Sequence, residues 1–163
     1  QMTGGEDPTN LVGITPDNKY LILSRDRRGE ENPGLYLQSI NGGELTAIQH
    51  KTKVQTIYSG VTDDSKFIYF RANDIAPDSY AIYKYDIAKK TRELVFSEPG
   101  IWFVADYNPN QLLLGKAKGA TWYEYHLYDE KEKKLTSLIG QDENQEYEMS
   151  FSLKVQIEMA SMK

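Results

Sequence analysis

The sequence predicts an all-β fold, a β-propeller of four-stranded antiparallel blades, and three observations predict it. First, a turn-forming segment followed by a short apolar run recurs along the chain. Thr15-Pro16-Asp17-Asn18-Lys19 leads into Tyr20-Leu21-Ile22-Leu23, and Thr62-Asp63-Asp64-Ser65-Lys66, 47 positions later, leads into Phe67-Ile68-Tyr69-Phe70. A third copy, Asn108-Pro109-Asn110-Gln111 with Leu112-Leu113-Leu114, follows 45 positions beyond the second. Second, each copy is flanked by the same succession of strand-like segments. Third, no stretch shows helical periodicity. Four short strands in each repeat of roughly 40 to 50 residues is the signature of a propeller blade. An ordinary β-sandwich would account for the strands but not for three copies in phase across all four of them.

The elements follow in order. The strands opening the units are expected at Leu11 to Ile14, Gln55 to Val61 and Ile101 to Ala105. The turn comes next. Proline presets φ, and Asp and Asn side chains bond nearby backbone, so these residues favour a tight reversal. The apolar runs after the turns read as buried second strands. After a polar loop come the third strands, Leu35 to Leu37, Ile82 to Asp86 and Tyr125 to Asp129, the last two preserving a Tyr-Asp pair. Turns at Asn41-Gly42-Gly43, Ala88-Lys89-Lys90 and Glu130 to Lys133 close each unit, and the fourth strands run Glu44 to Ile48, Thr91 to Phe96 and Lys134 to Ile139. The blades therefore span about 11–50, 54–97 and 100–140. An acidic loop at 141–148 precedes an incomplete fourth unit at 146–163, in which Leu153, Val155 and Ile157 alternate with polar residues as one more strand.

With 163 residues the chain holds roughly three and a half such units, whereas closed propellers have about four to eight. The chain is thus expected to be part of a longer propeller, or to close against another copy of itself through the segment Leu153 to Glu158, because open blade edges invite association. The absence of an initiator Met and of a secretory signal pattern at the N-terminus fits either a processed chain or a start inside a longer gene.

Composition excludes several classes. Aromatic residues make up 12%, with twelve tyrosines, against disorder. A formal charge of −5 opposes a sequence-independent grip on nucleic-acid phosphates, and no apolar run approaches the roughly 18 residues of a membrane span. There is no cysteine, so disulfides, thiolate nucleophiles and cysteine metal sites are all excluded. Compartment stays open between cytoplasm and periplasm.

The blade pieces carry a resemblance. Ser24-Arg25-Asp26-Arg27-Arg28-Gly29-Glu30 leading into Leu35-Tyr36, then Asn41-Gly42-Gly43-Glu44 with Leu45-Thr46, is similar to the propeller repeats of the prolyl-oligopeptidase (dipeptidyl-peptidase-like) serine peptidases and of the related TolB-type propellers. Ile14 to Tyr20 and Met149 to Ser152 fit the same consensus, apolar–Ser–Pro–Asp–Gly–Lys, although no copy has its glycine. The resemblance covers roughly residues 11–152. It implies a non-catalytic propeller segment that gates or supports peptide access to an α/β-hydrolase domain, which this chain lacks together with its G-x-S-x-G nucleophile elbow. The alternative it implies is a TolB-type propeller acting as a protein–protein interaction module. The expected partners are accordingly that hydrolase domain, a peptide or protein ligand, or a second copy.

No catalytic, cofactor or metal residues are expected. The two histidines, His50 and His126, are far apart in sequence; His50 lies in a polar stretch expected to face solvent, and His126 occupies an ordinary strand position. Two isolated histidines do not supply the three or four clustered ligands of a zinc site. Adjacent acids occur at Glu6-Asp7, Glu30-Glu31, Asp63-Asp64, Asp129-Glu130 and Asp142-Glu143. Asp63-Asp64 belongs to a repeated turn. Glu30-Glu31 suggests the glutamate pair with which dipeptidyl-peptidase relatives hold a substrate amine, but it sits in the blade consensus beside Asn32-Pro33-Gly34 and reads as a solvated loop. The basic stretches Arg25 to Arg28 and Lys131 to Lys134 read as solvated turns, and Gly115 to Gly119 lacks the ending of a phosphate loop. Trp102, Phe103, Trp122 and Tyr123 read as strand residues that stack between blades rather than as a ligand cage. If one end of the blades recognises a ligand, the candidate loops are 25–34, 72–80 and 116–121.

Overall fold

In the computed structural model, residues 7–141 are described, and they form twelve strands and no helix. The strands are β1 (Thr9–Ile14), β2 (Tyr20–Arg25), β3 (Gly34–Ser39), β4 (Thr46–Gln49), β5 (Thr56–Val61), β6 (Phe67–Ala76), β7 (Ser79–Asp86), β8 (Thr91–Phe96), β9 (Ile101–Tyr107), β10 (Gln111–Ala117), β11 (Tyr123–Asp129) and β12 (Lys134–Ile139). They make three four-stranded antiparallel meanders, each in sequence order. The chain divides into two compact units, one holding the first two sheets and the other the third. The fourth unit expected at 146–163, with its strand Leu153 to Glu158, lies outside the described residues.

The repeated turns show why the sequence repeats. Thr15 Oγ1 donates to Asp17 Oδ1 at 2.7 Å and accepts from the Tyr20 N–H at 3.0 Å, while Asp17 Oδ1 also takes the Lys19 N–H at 3.1 Å. Thr62, Asp64, Lys66 and Phe67 reproduce these bonds at 2.7, 3.1 and 3.0 Å. The glycine missing from the consensus is replaced by Asn18 and Ser65, and both still adopt the left-handed conformation, at φ 57° and 60°. Asparagine tolerates that region well. Ser65 gains a compensating contact: its hydroxyl accepts the Asp17 N–H at 3.0 Å and ties the two turns together. In the third copy Asn108 Oδ1 accepts from the N–H groups of Asn110 and Gln111 at 3.0 and 2.9 Å, and the Asn108 N–H closes the turn onto the Gln111 carbonyl at 2.9 Å.

Alternation along the strands builds the core of the first unit. Ile22, Leu35, Leu37 and Ile48 from the first sheet pack against Ile68, Phe70, Ala72, Tyr83 and Tyr85 from the second, all buried. Phe70 and Tyr83 stack with ring centroids 5.2 Å apart. Gly13 in β1 permits this approach, because a Cβ there would stand 2.8 Å from the Tyr58 hydroxyl. The opposite face of the first sheet carries a second buried cluster, Leu21, Leu23 and Tyr36, with Leu45 against it. In the second unit Leu113 and Tyr125 pack with Phe103, Tyr123 and Ile139.

Two expectations about element ends need correction. Residues 72–80 are not a loop: β6 continues to Ala76 and β7 starts at Ser79, with Ala76 paired to Ser79. Likewise β10 reaches Ala117, which shortens the loop expected at 116–121, and β4 begins at Thr46 rather than Glu44.

Candidate functional site

The connection between the second and third strands is made three times, and only in the first sheet is it long. It is closed by Pro77 and Asp78 in the second sheet and by residues 118–122 in the third, but in the first it runs from Asp26 to Pro33. This loop is built rather than slack. Asp26 accepts the N–H groups of Arg27 at 2.8 Å and Glu31 at 3.3 Å, and Asp7 accepts the Arg28 N–H at 2.7 Å. The Asp26 N–H bonds Pro8 at 3.2 Å, and the Asn32 side chain donates to the Glu30 carbonyl at 2.8 Å. Asp7 also faces Arg25, at 3.8 Å. The loop tip holds three consecutive or near-consecutive left-handed residues, Arg28 at φ 54°, Gly29 at 70° and Glu31 at 57°. For residues other than glycine that conformation costs energy and persists only where the surroundings impose it.

Beside the loop lies a cavity of about 180 Å³, lined by Asp7, Arg25, Asp26, Arg27, Tyr36 and Leu45. One of its walls, Tyr36, contacts His50. The expectation that His50 faces solvent is wrong, for a specific reason: its ring lies over Gly34, where a Cβ would come within 2.5 Å of the His50 Cγ. The missing side chain at position 34 makes the room. His50 Nδ1 is hydrogen-bonded to the Tyr36 hydroxyl, and the two rings meet edge-on with centroids 5.7 Å apart. Burial, aided by the charge of Arg27, holds the His50 pKa below its ordinary value against the opposing pull of Glu30, Asp26 and Asp7. His50 Nε2 and Glu30 Oε2 are both buried without a hydrogen-bond partner. Arg27 and Arg28 are exposed, and neither guanidinium forms an ion pair with a described residue.

The equivalent corner of the second sheet is consumed internally. Asp74 accepts from the Tyr83 hydroxyl at 2.7 Å and from Lys51 Nζ at 2.9 Å, and its side chain is only 5% exposed. Arg92 donates to Gln49, whose amide in turn reaches Thr56 Oγ1 at 3.4 Å. These bonds join the two sheets. Sequence reading missed them, as it missed the bracing by Asp7 and Asp26; the signal available was that these polar residues sit next to strand ends, where unpaired backbone groups are found.

The third sheet contains one arrangement with chemical connectivity. Ser137 Oγ lies 3.2 Å from His126 Nδ1, and His126 Nε2 lies 3.4 Å from Glu124 Oε2. A nucleophile, base and acid follow that order. Here, however, the three side chains stand on a sheet face with the Trp102 ring 5.2 Å from the imidazole, and Glu124 is shared with Lys118 at 3.6 Å. The strand position expected for His126 holds, and burial lowers its pKa. The basic stretch expected to lack a phosphate loop serves the sheet: Lys116 sits over the Trp102 ring at 5.1 Å and Lys118 over Trp122 at 5.8 Å. Trp122 lies just before β11 and donates to the Gly140 carbonyl at 2.6 Å. Among the adjacent acids, Asp64 holds its turn, Asp129 accepts from Lys131 and Glu132 at 2.9 and 2.8 Å, and Glu6 and Asp142-Glu143 lie outside the described residues.

No family model matches the sequence, and no curated protein does. Solved structures do. TolB from Acinetobacter baumannii superposes with a TM-score of 0.62 over 86% of this chain at 20% identity. A protein assigned as TolB from Agrobacterium tumefaciens gives 0.65 over 85% at 16% identity. The chain spans 34% and 51% of the lengths of these two proteins. At such identities the likeness shows the fold: three sheets of a TolB-type β-propeller.

Proposed function

We propose that this chain forms part of a β-propeller that acts by binding another protein and carries out no chemistry of its own. The observation that supports this most is the likeness to TolB-type propellers, joined to a recognition-sized loop on the first sheet where the repeat itself needs none. The finer expectation, a propeller segment of a prolyl-oligopeptidase-like peptidase, draws no support from these neighbours.

The test has two arms. The purified chain, incubated with fluorogenic peptides and a fluorophosphonate probe, should neither cleave nor become labelled, Ser137 included. Immobilised, it should retain a defined protein from a lysate of its source cells, which a chain shuffled in the 26–33 loop retains less well. Serine-directed labelling with turnover would sink the reading.

A further inference from the structure

The loop from Asp26 to Pro33 differs from its counterparts in what its charges do. The carboxylates of Asp7 and Asp26 are occupied by backbone N–H groups, at 2.7 to 3.3 Å, and so serve the shape of the loop. Asp7 also faces Arg25 at 3.8 Å, while Arg27 and Arg28 form no ion pair with a described residue. Arg27 and Arg28 are exposed, and the backbone at and after Arg28 is held in left-handed conformations, at φ 54° for Arg28, 70° for Gly29 and 57° for Glu31. A loop ordered in advance loses less conformational freedom when it binds. Guanidinium groups are planar forks suited to carboxylates, and charge-assisted pairs of this kind are the stronger class of hydrogen bond. Arg27 also lines the neighbouring cavity of about 180 Å³, whose other walls are Asp7, Arg25 and Asp26 on the charged side and the Tyr36 ring and Leu45 on the apolar side. The site therefore offers two cations without an ion pair among the described residues, and beside them a recess with one apolar side.

Resting on the protein-binding reading above, we propose that this corner binds an acidic peptide segment of a partner protein. Its carboxylates would pair with Arg27 and Arg28, and an adjoining apolar side chain would enter the recess between Tyr36 and Leu45. A long polyanion fits less well. The chain carries a net charge of −5, and Glu31 exposes a further carboxylate in the same loop, so attraction is confined to a few ångströms around the two arginines. Glu31 marks the limit of the site: it repels the ligand's negative charge from one side and so sets the register of approach.

The test uses the full chain and a fluorescein-labelled dodecapeptide in which aspartate alternates with leucine, with a counterpart carrying asparagine for every aspartate, read by fluorescence anisotropy. Wild type should bind the aspartate peptide about tenfold more tightly than the asparagine peptide, the loss of two charge-assisted contacts corresponding to at least that factor. Arg27→Gln with Arg28→Gln should abolish the preference, and Glu31→Gln should preserve or strengthen it. Both arginines are exposed, so the circular dichroism spectrum and Tm of the double variant should match wild type. Raising the salt from about 0.05 to 0.5 M should weaken wild-type binding of the acidic peptide only. Equal affinity for the two peptides, no binding of the aspartate peptide, or an unchanged preference in the double variant would each overturn the assignment. If wild type and double variant retain the same protein from a lysate, this assignment falls while the interaction reading stands.

Discussion

The first and second sheets make the same connection in two ways. Asp26 and Asn73 occupy equivalent places, 47 positions apart, and each N–H bonds the residue entering its sheet, Pro8 at 3.2 Å and Gln55 at 3.4 Å. Beyond that point they part. In the second sheet Asn73 Oδ1 takes the Gln55 N–H at 2.8 Å and the ladder closes over Pro77 and Asp78. In the first the chain runs out into the loop braced by Asp26 and Asp7. Tyr36 and Tyr83 are equivalent too, yet one meets His50 and the other Asp74. The repeat sets strands and core; where it is broken, Arg27 and Arg28 are left without an ion pair among the described residues. The proposed binding role rests on that difference.

The comparison can be broken first through what the two sheets share. Phe70→Ala and Ile22→Ala each remove a fully buried side chain from the common core and should cost about 3–5 and 2–5 kcal/mol. Because that core spans both sheets, urea unfolding followed by circular dichroism should show them lost in one transition; two separate transitions would show that the sheets are independent. Next comes the position that differs. Gly34→Ala forces a methyl into the His50 ring and should cost about 1–3 kcal/mol, whereas its counterpart Ala81→Gly should cost only about 1 kcal/mol.

Asp74→Ala removes the acceptor of Tyr83 and Lys51 and should cost about 1–3 kcal/mol at pH 7. Burial alone would raise the Asp74 pKa, but the hydrogen bonds from Lys51 and Tyr83 hold it below the usual 3.8. The stability it supplies is therefore present above that value and lost as the pH falls through the folded-state pKa. The gap in urea midpoint between wild type and Asp74→Ala should narrow below about pH 4. The smallest effect belongs to the first sheet. His50 has a lowered pKa, so its neutral form stabilises the fold above the unfolded-state value of 6.5, and that contribution is lost as the pH drops below it. Wild-type midpoints should fall gently from pH 7 to about 5.5, and His50→Gln should reduce that slope, the remainder belonging to His126, whose pKa burial also lowers; an unchanged slope would place the titration elsewhere.

Much of this was legible in the sequence. All twelve strands lie where the repeats put them, because Thr-x-Asp and Asx turns leave a clear signature and the apolar runs behind them are unmistakable. The ends were harder. Asn73, Asp74, Pro77 and Asp78 are turn formers, so 72–80 read as a loop, although the side chains of Asn73 and Asp74 bond within and between sheets while the hairpin continues past them. His50 sits among polar neighbours in sequence, and only the absence of a side chain at Gly34, sixteen residues away, lets it turn inward. The candidate loop was found by its length and polarity; its bracing by Asp7 could not be, because that contact joins residues 21 apart across two strands.

The central claim is that the 26–33 loop is held in its binding shape before any partner arrives. Backbone ¹⁵N relaxation and amide exchange of the free chain test it most directly. The account predicts order parameters near those of the strands, about 0.85, at Arg27, Arg28 and Glu31, with measurable protection of these three N–H groups, which Asp26 and Asp7 accept. Order parameters below about 0.6, with exchange at the unprotected rate, would contradict it.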